Sequence, residues 1–374
     1  MSNSKQRQTN IELIRILSMF LIVVHHFALH GFDKDAVAAC QTGWQVDTLL
    51  FGGGVGVAVF VLISSYFMVN SKITGRKLLR LWVEIFTIGM SLYLLFRFLP
   101  QDGIRPHEGA CSLFSHCFPL LTGKYWFMSV FVLLMLLSPF LNRMLHGMTR
   151  MEMRWLILAQ VAFCSACTAL PYASASVGDI GFFVMLYTIA AYIRLHAKIP
   201  DGSSGKWLLF ATLVLAAVEV IVMYTSGSSS VVSSWARKAV LSKYGLPNLL
   251  MAVSLFMAAL RWRVKYIGWI NGMAACTLGV YLIHDNQYMR PYLWKNLFHC
   301  QDMLGQSADF WWHSLAIVIS VYVGCTVLAF IWRQTIERAY ICWLEPRALP
   351  FLRRLGGRAA EALQSACARY IDRD

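Results

Sequence analysis

The N-terminal apolar segment carries polar residues whose types and spacing suit proton transfer and anion binding. Arg15 and His26 are eleven positions apart, and eleven helical steps end about 20° beyond three full turns. The two side chains therefore share one helix face, about 16 Å apart along the axis. Neutral imidazole can take a proton from a hydroxyl near neutral pH, and a guanidinium binds anions. Glu12, one turn before Arg15, predicts an ion pair that eases the desolvation of Arg15.

The same residues also have a purely structural interpretation. Arg15 would reach toward headgroups, and the histidines would lie at the opposite interface. His25 lies about 80° from the shared face, so it is the weaker candidate for a base and is placed among possible substrate contacts. A charged group at membrane depth is costly, and together with the Arg–His spacing this favours the functional interpretation.

The composition of the chain indicates which class of protein positions these residues. Of 374 residues, 58% are hydrophobic and 14% are charged, with a mean hydropathy of +0.56. A soluble protein carries roughly 25% charged residues. The net charge of +14 fits either nucleic-acid binding or the cytoplasmic loops of a multispan membrane protein. The charge deficit selects the second, so we expect a lipid bilayer around the chain and no nucleic-acid partner.

Ten apolar stretches are long enough to cross a bilayer, and they must be helices because irregular backbone cannot face lipid. They are residues 11–30, 48–69, 78–99, 125–142, 153–171, 178–197, 206–224, 244–261, 270–288 and 312–333. With the N-terminus inside, 23 Lys and Arg fall on the inner side and nine on the outer side. This asymmetry predicts an all-α polytopic protein with both termini cytoplasmic. We expect a membrane domain over 1–340 and an amphipathic cytoplasmic tail over 341–374.

Further polar and small residues lie at the ends of these spans. The glycines between Gly52 and Gly56 predict close helix packing rather than a phosphate loop. The basic cluster of Arg76, Lys77 and Arg80 either determines the membrane topology or binds phosphate.

Three other positions carry polar or aromatic groups that suit a substrate site. Trp126 opens the fourth span, where an aromatic residue is usually an interface anchor. His284 and Asp285 close the ninth span, where they either orient a substrate or lie in water.

Taken together, these residues resemble the acyltransferase-3 family of bacterial integral membrane acyltransferases. Arg15 and His26 match the family's Arg and His of the first span, and Glu12 its acidic start. Phe60 to Tyr66 match the end of its second span, with Ser65 in place of the usual Gly, a change that concerns packing. The other matching positions are Lys77 with Arg80, Tyr125 to Phe127, the phrase from Gly279 to Asn286, and Arg290 with Pro291.

The resemblance implies a multi-pass enzyme of the bacterial cytoplasmic membrane. Its donor would be acetyl-CoA or another acyl-CoA, and its acceptor a hydroxyl of a cell-surface saccharide or lipid-linked glycan. Arg15, assisted by Arg76, Lys77 and Arg80, would hold the coenzyme phosphates, and His26 would act as general base or as nucleophile.

No metal is expected to take part. Ser64 and Trp126 are candidate oxyanion donors, and Tyr66 is a further candidate substrate contact. A transporter or flippase of a small anion or glycolipid is the alternative, because embedded charges and glycines suit transport equally well.

Overall fold

At least six of the described helices pack against the first helix, as seen in a computed structural model. The structure describes residues 8–99, 101, 103, 104, 106, 110–166, 178–197, 204–225, 240–306, 308–351 and 354. Within those ranges the backbone is helical apart from loops and one isolated β-bridge between Gln101 and Ile104.

The α-helices are numbered here in chain order. They are α1 (Thr9–Gly31), α2 (Lys34–Ala39), α3 (Gly43–Leu50), α4 (Gly52–Met68), α5 (Gly75–Phe98), α6 (Ala110–Cys117), α7 (Trp126–Gly147), α8 (Arg150–Val161), α9 (Gly178–His196), α10 (Ser204–Thr225), α11 (Leu246–Arg261), α12 (Gly268–Ala275), α13 (Thr277–His284), α14 (Met289–Pro291) and α15 (Phe310–Trp332). Helix α1 lies in the middle and packs against α3, α4, α11, α12, α13 and α15.

Seven helical stretches among the described residues are long and apolar enough to cross a membrane. They are Thr9–Gly31, Gly43–Met68, Gly75–Phe98, Trp126–Gly147, Gly178–His196, Gly205–Thr225 and Phe310–Phe351. Each coincides with one of the ten predicted spans. The prediction of an all-α polytopic membrane protein is therefore confirmed.

The other three predicted spans are shorter or interrupted. Helix α8 and the π-helical turn after it reach Ala166, and residues 167–171 of that span lie outside the described residues. Helix α11 has 16 residues. The span predicted over 270–288 is divided between α12, α13 and the turn that follows α13. The count of ten and the orientation of the termini stay predictions.

Two helix interruptions lie close to α1, at Phe51 between α3 and α4 and at Cys276 between α12 and α13. Backbone that leaves the helical pattern at membrane depth needs other partners for its polar groups. The carbonyl of Leu50 accepts from a ring nitrogen of His25 at 2.6 Å. The carbonyl of Ala274 accepts from the hydroxyl of Thr277 at 2.9 Å. Local side chains thus make both interruptions tolerable.

The glycines of α4 permit its close contact with α1, as predicted. A Cβ on Gly53 would lie 2.4 Å from Cγ of His25, and one on Gly56 would lie 2.6 Å from the carbonyl oxygen of Ser18. Any larger residue at either position would push the helices apart. The packing interpretation of this segment is confirmed.

The C-terminal helix is longer than the predicted final span. It runs from Phe310 to Phe351 and includes π-helical turns at Arg333–Glu337 and Tyr340–Leu344. The predicted tail boundary at residue 341 lies inside this helix. Residues 352, 353 and 355–374 of the predicted tail lie outside the described residues.

Candidate active site

His26 is buried where α1 meets the end of α13. Its Nδ1 lies 2.9 Å from Nε2 of His284 and 3.5 Å from Oδ1 of Asp285. Helix α13 ends at His284, so the end of that helix places His284 and Asp285 next to His26. His284 and Asp285 have no exposed surface. The interpretation that this pair lies in water is therefore wrong, because α1 covers it.

A chain of hydrogen bonds assigns the tautomers of the two histidines. Nδ1 of His284 lies 2.6 Å from the carbonyl oxygen of Val280, which can only accept, so this nitrogen carries the proton. In neutral His284 the other nitrogen, Nε2, is then an acceptor. The proton between the rings must therefore sit on Nδ1 of His26. With His26 neutral as well, its Nε2 is unprotonated and has the lone pair that a base or nucleophile needs.

Asp285 is a buried carboxylate held between a cation and a third histidine. Its Oδ1 accepts from Nε of Arg290 at 2.7 Å and lies 3.9 Å from Nε2 of His30. The side chain of Arg290 is 29% exposed, whereas that of Asp285 is 1% exposed. A buried carboxylate needs such a charge-assisted partner. Arg290 therefore stabilises Asp285 while keeping its own contact with solvent.

Two polar side chains fix the end of α13 in this position. The hydroxyl of Tyr125 donates to the carbonyl of Leu282 at 3.0 Å and accepts from the amide of Asn286 at 2.8 Å. Leu282 belongs to the last turn, whose carbonyls have no partner within the helix. Tyr125 precedes α7, so α7 and α13 are tied together beside His26.

A small apolar cavity of about 20 Å³ lies against His26, and we call it the His26 cavity. Its walls are Met19, Ile22, His26, Val57, Phe60, Trp126, Phe127, Leu278 and Tyr281. The sequence-predicted Trp126 is thus brought to the same cavity as His26. The ring of Trp126 also lies 4.3 Å from Nζ of Lys243, a cation–π contact that restrains it.

A second cavity of about 280 Å³ lies toward the N-terminal end of α1, and we call it the Arg15 cavity. Arg15 and Ser64 line it, together with Glu84, Arg333 and Glu337. Glu12 pairs with Arg15 at 3.2 Å, which confirms the predicted ion pair.

The two cavities adjoin each other. Phe60 and Leu278 belong to the walls of both. Arg15 and His26, which helical periodicity predicts on one face of α1, therefore line neighbouring cavities.

A third, open space lies beyond the C-terminal end of α1, and we call it the vestibule. It measures about 830 Å³, and its walls include His30, Gln287, Arg290, Lys295 and Asp302. Nζ of Lys124 donates to Gln287 at 2.7 Å, and burial lowers the pKa of this lysine. His30 and Arg290 are the residues that connect the vestibule to Asp285.

Comparison with protein families matches residues 8–330 to the acyltransferase domain of the acyltransferase-3 family. The match covers most of the chain. This protein belongs to the acyltransferase-3 family. Comparison with curated proteins and with solved structures gives no match. Family membership makes the chain a multi-pass membrane acyltransferase and so favours an enzyme over the transporter or flippase alternative.

Two residues predicted as substrate contacts have structural partners in this acyltransferase. The hydroxyl of Tyr66 accepts from Nη1 of Arg194 at 2.9 Å, and the same guanidinium lies 4.6 Å from the Tyr66 ring. His25 bonds the carbonyl of Leu50 rather than a group of the His26 cluster. Neither Tyr66 nor His25 is among the residues that line the His26 cavity, the Arg15 cavity or the vestibule.

The predicted phosphate-binding residues of the acyltransferase, Arg76, Lys77 and Arg80, lie in the first turns of α5. Arg76 and Arg80 each lie 2.7 Å from one oxygen of Glu345 in the C-terminal helix. Nζ of Lys77 donates to the carbonyl of Lys72 at 3.0 Å. None of the three lines the Arg15 cavity.

His26, His30 and Asp285 form a set that resembles a metal site, because their ligand atoms lie within 4.8 Å of one another. Two of these atoms are already engaged. Arg290 occupies Oδ1 of Asp285, and His284 occupies Nδ1 of His26. A cation bound through these two atoms would have to displace a guanidinium and a proton.

Sequence reasoning assigned no role to three residues of this region, although it noted Arg290 as a matching family position. His30 lies one turn after His26, so the period that paired Arg15 with His26 also brings His30 near that face. Arg290 follows Asp285 by five residues, but the loop between them has no regular period from which their contact could be predicted. Arg333 reaches the Arg15 cavity from the far end of the chain, and no local pattern indicates this.

Proposed function

We propose that this acyltransferase transfers an acetyl or other short acyl group from cytoplasmic acyl-CoA to a hydroxyl of a cell-surface saccharide or lipid-linked glycan. The bacterial cytoplasmic membrane would separate donor from acceptor. The observation that carries the proposal is the contact between the Arg15 and His26 cavities at Phe60 and Leu278. An anion site and a base then lie on one route through the helix bundle.

The donor enters from the side of Arg15. Arg15 binds the coenzyme phosphates through charge-assisted hydrogen bonds, and Glu12 orients its guanidinium. Arg76, Lys77 and Arg80 add positive charge at the same end of the bundle. The pantetheine arm then runs toward His26, over a rise of about 16 Å along α1. The thioester comes to rest beside Trp126 in the His26 cavity, whose walls move apart to receive it.

The acceptor enters from the vestibule, and His26 takes its proton. Nε2 of His26 accepts the hydroxyl proton while the acceptor oxygen forms a bond to the thioester carbon. The carbon–sulfur bond then breaks, and His26 returns the proton to the departing thiolate. The products are an ester and free CoA, with no net proton gained or lost. In the alternative route Nε2 itself first takes the acyl group as the carbon–sulfur bond breaks and the CoA thiolate leaves. The acceptor oxygen then attacks the acyl-imidazole, its proton goes to the thiolate, and His26 is released neutral.

His284 and Asp285 act as positioning residues in this proposal. His284 holds the proton on Nδ1 of His26, and the Asp285 carboxylate favours the imidazolium that forms when His26 accepts a proton. Trp126 and Ser64 contact the donor, because they line the two cavities. Tyr66 and His25 stabilise the packing of the helices through their hydrogen bonds with Arg194 and with the carbonyl of Leu50.

The test compares the same substitution at adjacent histidines. Membranes containing wild type, His26→Gln or His25→Gln are incubated with labelled acetyl-CoA, and alkali-released acetate is measured in the envelope glycan. His26→Gln should abolish transfer, while His25→Gln, whose amide can still donate to Leu50, should retain it. Equal transfer by His26→Gln and wild type, at matched amounts of protein, would remove His26 from the reaction. An acyl group trapped on His26 in the absence of acceptor would select the acyl-imidazole route.

A further inference from the structure

The C-terminal helix brings one carboxylate onto the basic start of α5. Glu345 is buried, and its two oxygens are divided between two arginines. Oε1 lies 2.7 Å from Nε of Arg76, and Oε2 lies 2.7 Å from Nε of Arg80. Arg76 and Arg80 are one helical turn apart, so a single carboxylate engages both.

A carboxylate and a phosphate are alternative partners for the same guanidinium, because both accept its N–H groups in the same geometry. We propose that Glu345 is an autoinhibitory latch, which occupies Arg76 and Arg80 until the phosphates of the donor displace it. This inference rests on the proposed function, because it requires those arginines to bind acyl-CoA. It adds that the chain itself supplies a competitor for the donor.

The surroundings of the latch allow such an exchange. The side chains of Arg76 and Arg80 are 58% and 41% exposed, so a phosphate can approach them from water. Glu345 lies beyond residue 330, where the match to the acyltransferase domain ends. The latch is therefore an addition to the matched domain.

The same helix also reaches the donor route directly. Arg333 and Glu337, two to three turns before Glu345, line the Arg15 cavity and pair with each other at 2.9 Å. A shift of the helix at Glu345 would therefore move part of the wall of that cavity. Release of the latch and entry of the donor are coupled through one continuous helix.

The test measures equilibrium binding of acetyl-CoA to the purified full-length protein in lipid nanodiscs. Glu345→Gln removes the charge and keeps the size of the side chain. It should bind acetyl-CoA roughly three- to tenfold more tightly than wild type, since half-exposed ion pairs are each worth little. Arg338→Gln, an exposed change on the same helix, should bind like wild type. The gain should shrink as the salt concentration rises.

Two further variants keep the test decisive. Glu345→Asp retains the charge but is too short to reach both arginines, so it should show a smaller gain if Glu345→Gln does not fold. In an Arg76→Gln/Arg80→Gln background the Glu345 substitution should have no effect. Unchanged or weaker binding by folded Glu345→Gln or Glu345→Asp, with wild type binding normally, would show that Glu345 only anchors the helix. Absence of binding by wild type itself would instead overturn the proposed function.

Discussion

Replacement of His284 by Leu tests the assignment of the His26 tautomer. In wild type, Nδ1 of His26 donates to His284 at 2.9 Å inside a buried site. Leucine cannot accept, so that N–H is left with only the Asp285 carboxylate, whose Oδ1 is 3.5 Å away. An unsatisfied buried donor costs about 1–3 kcal/mol. The ring regains a full hydrogen bond by turning toward Asp285 or by moving its proton to Nε2, and either change displaces the base from the reacting hydroxyl.

The expected result is a fall in the rate of acyl transfer of about 10- to 100-fold, since each 1.4 kcal/mol is worth about a factor of ten. Affinity for acetyl-CoA should change less than about twofold, because His284 lines neither of the two donor cavities. The assay is single-turnover transfer from labelled acetyl-CoA, with binding measured separately. His284→Gln, whose amide oxygen can accept from His26, should recover part of the rate. A fully active His284→Leu enzyme would refute the tautomer assignment.

Three other perturbations follow from the contacts around α1. Arg15→Gln should weaken acetyl-CoA binding about tenfold with little change in the rate at saturating donor, which titration and single-turnover kinetics can separate. Arg290→Gln leaves a buried carboxylate without its guanidinium and should destabilise the protein by about 3 kcal/mol in thermal unfolding; an unchanged midpoint would contradict the pairing. Gly53→Ala places a Cβ 2.4 Å from the His25 ring and should cost about 1–3 kcal/mol. Gly272→Ala, where a Cβ meets nothing within 4 Å, is its matched control and should cost much less.

The arrangement of α1 could be predicted from the sequence because it depends on a local regularity. The helical period fixes the angle between Arg15 and His26 wherever the helix lies in the bundle. The pairing of Glu12 with Arg15 is equally local. The glycines of α4 predict close packing, because small residues in a membrane helix mainly allow a neighbouring helix to approach.

The partners of His26 could not be predicted in the same way. His284 is 258 positions away along the chain, and its role depends on where α13 ends against α1. The sequence predicted one span over that region, whereas the interruption at Cys276 and the end at His284 place the His–Asp pair inside the bundle. The contact of Glu345 with α5 also joins distant parts of the chain, and no periodicity connects them.

The apolar contact between the two cavities limits what can pass along the proposed route. Phe60 and Leu278 border both spaces, and neither offers a partner to a charged group. A phosphate moved beside these side chains would lose its hydration and its hydrogen bonds to Arg15, at a large cost in free energy. The phosphates therefore stay at the Arg15 end. The uncharged pantetheine arm carries no such cost and can pass. His26 would then meet only the thioester, in a space whose apolar walls exclude water and protect the acyl group from hydrolysis until an acceptor hydroxyl arrives from the vestibule.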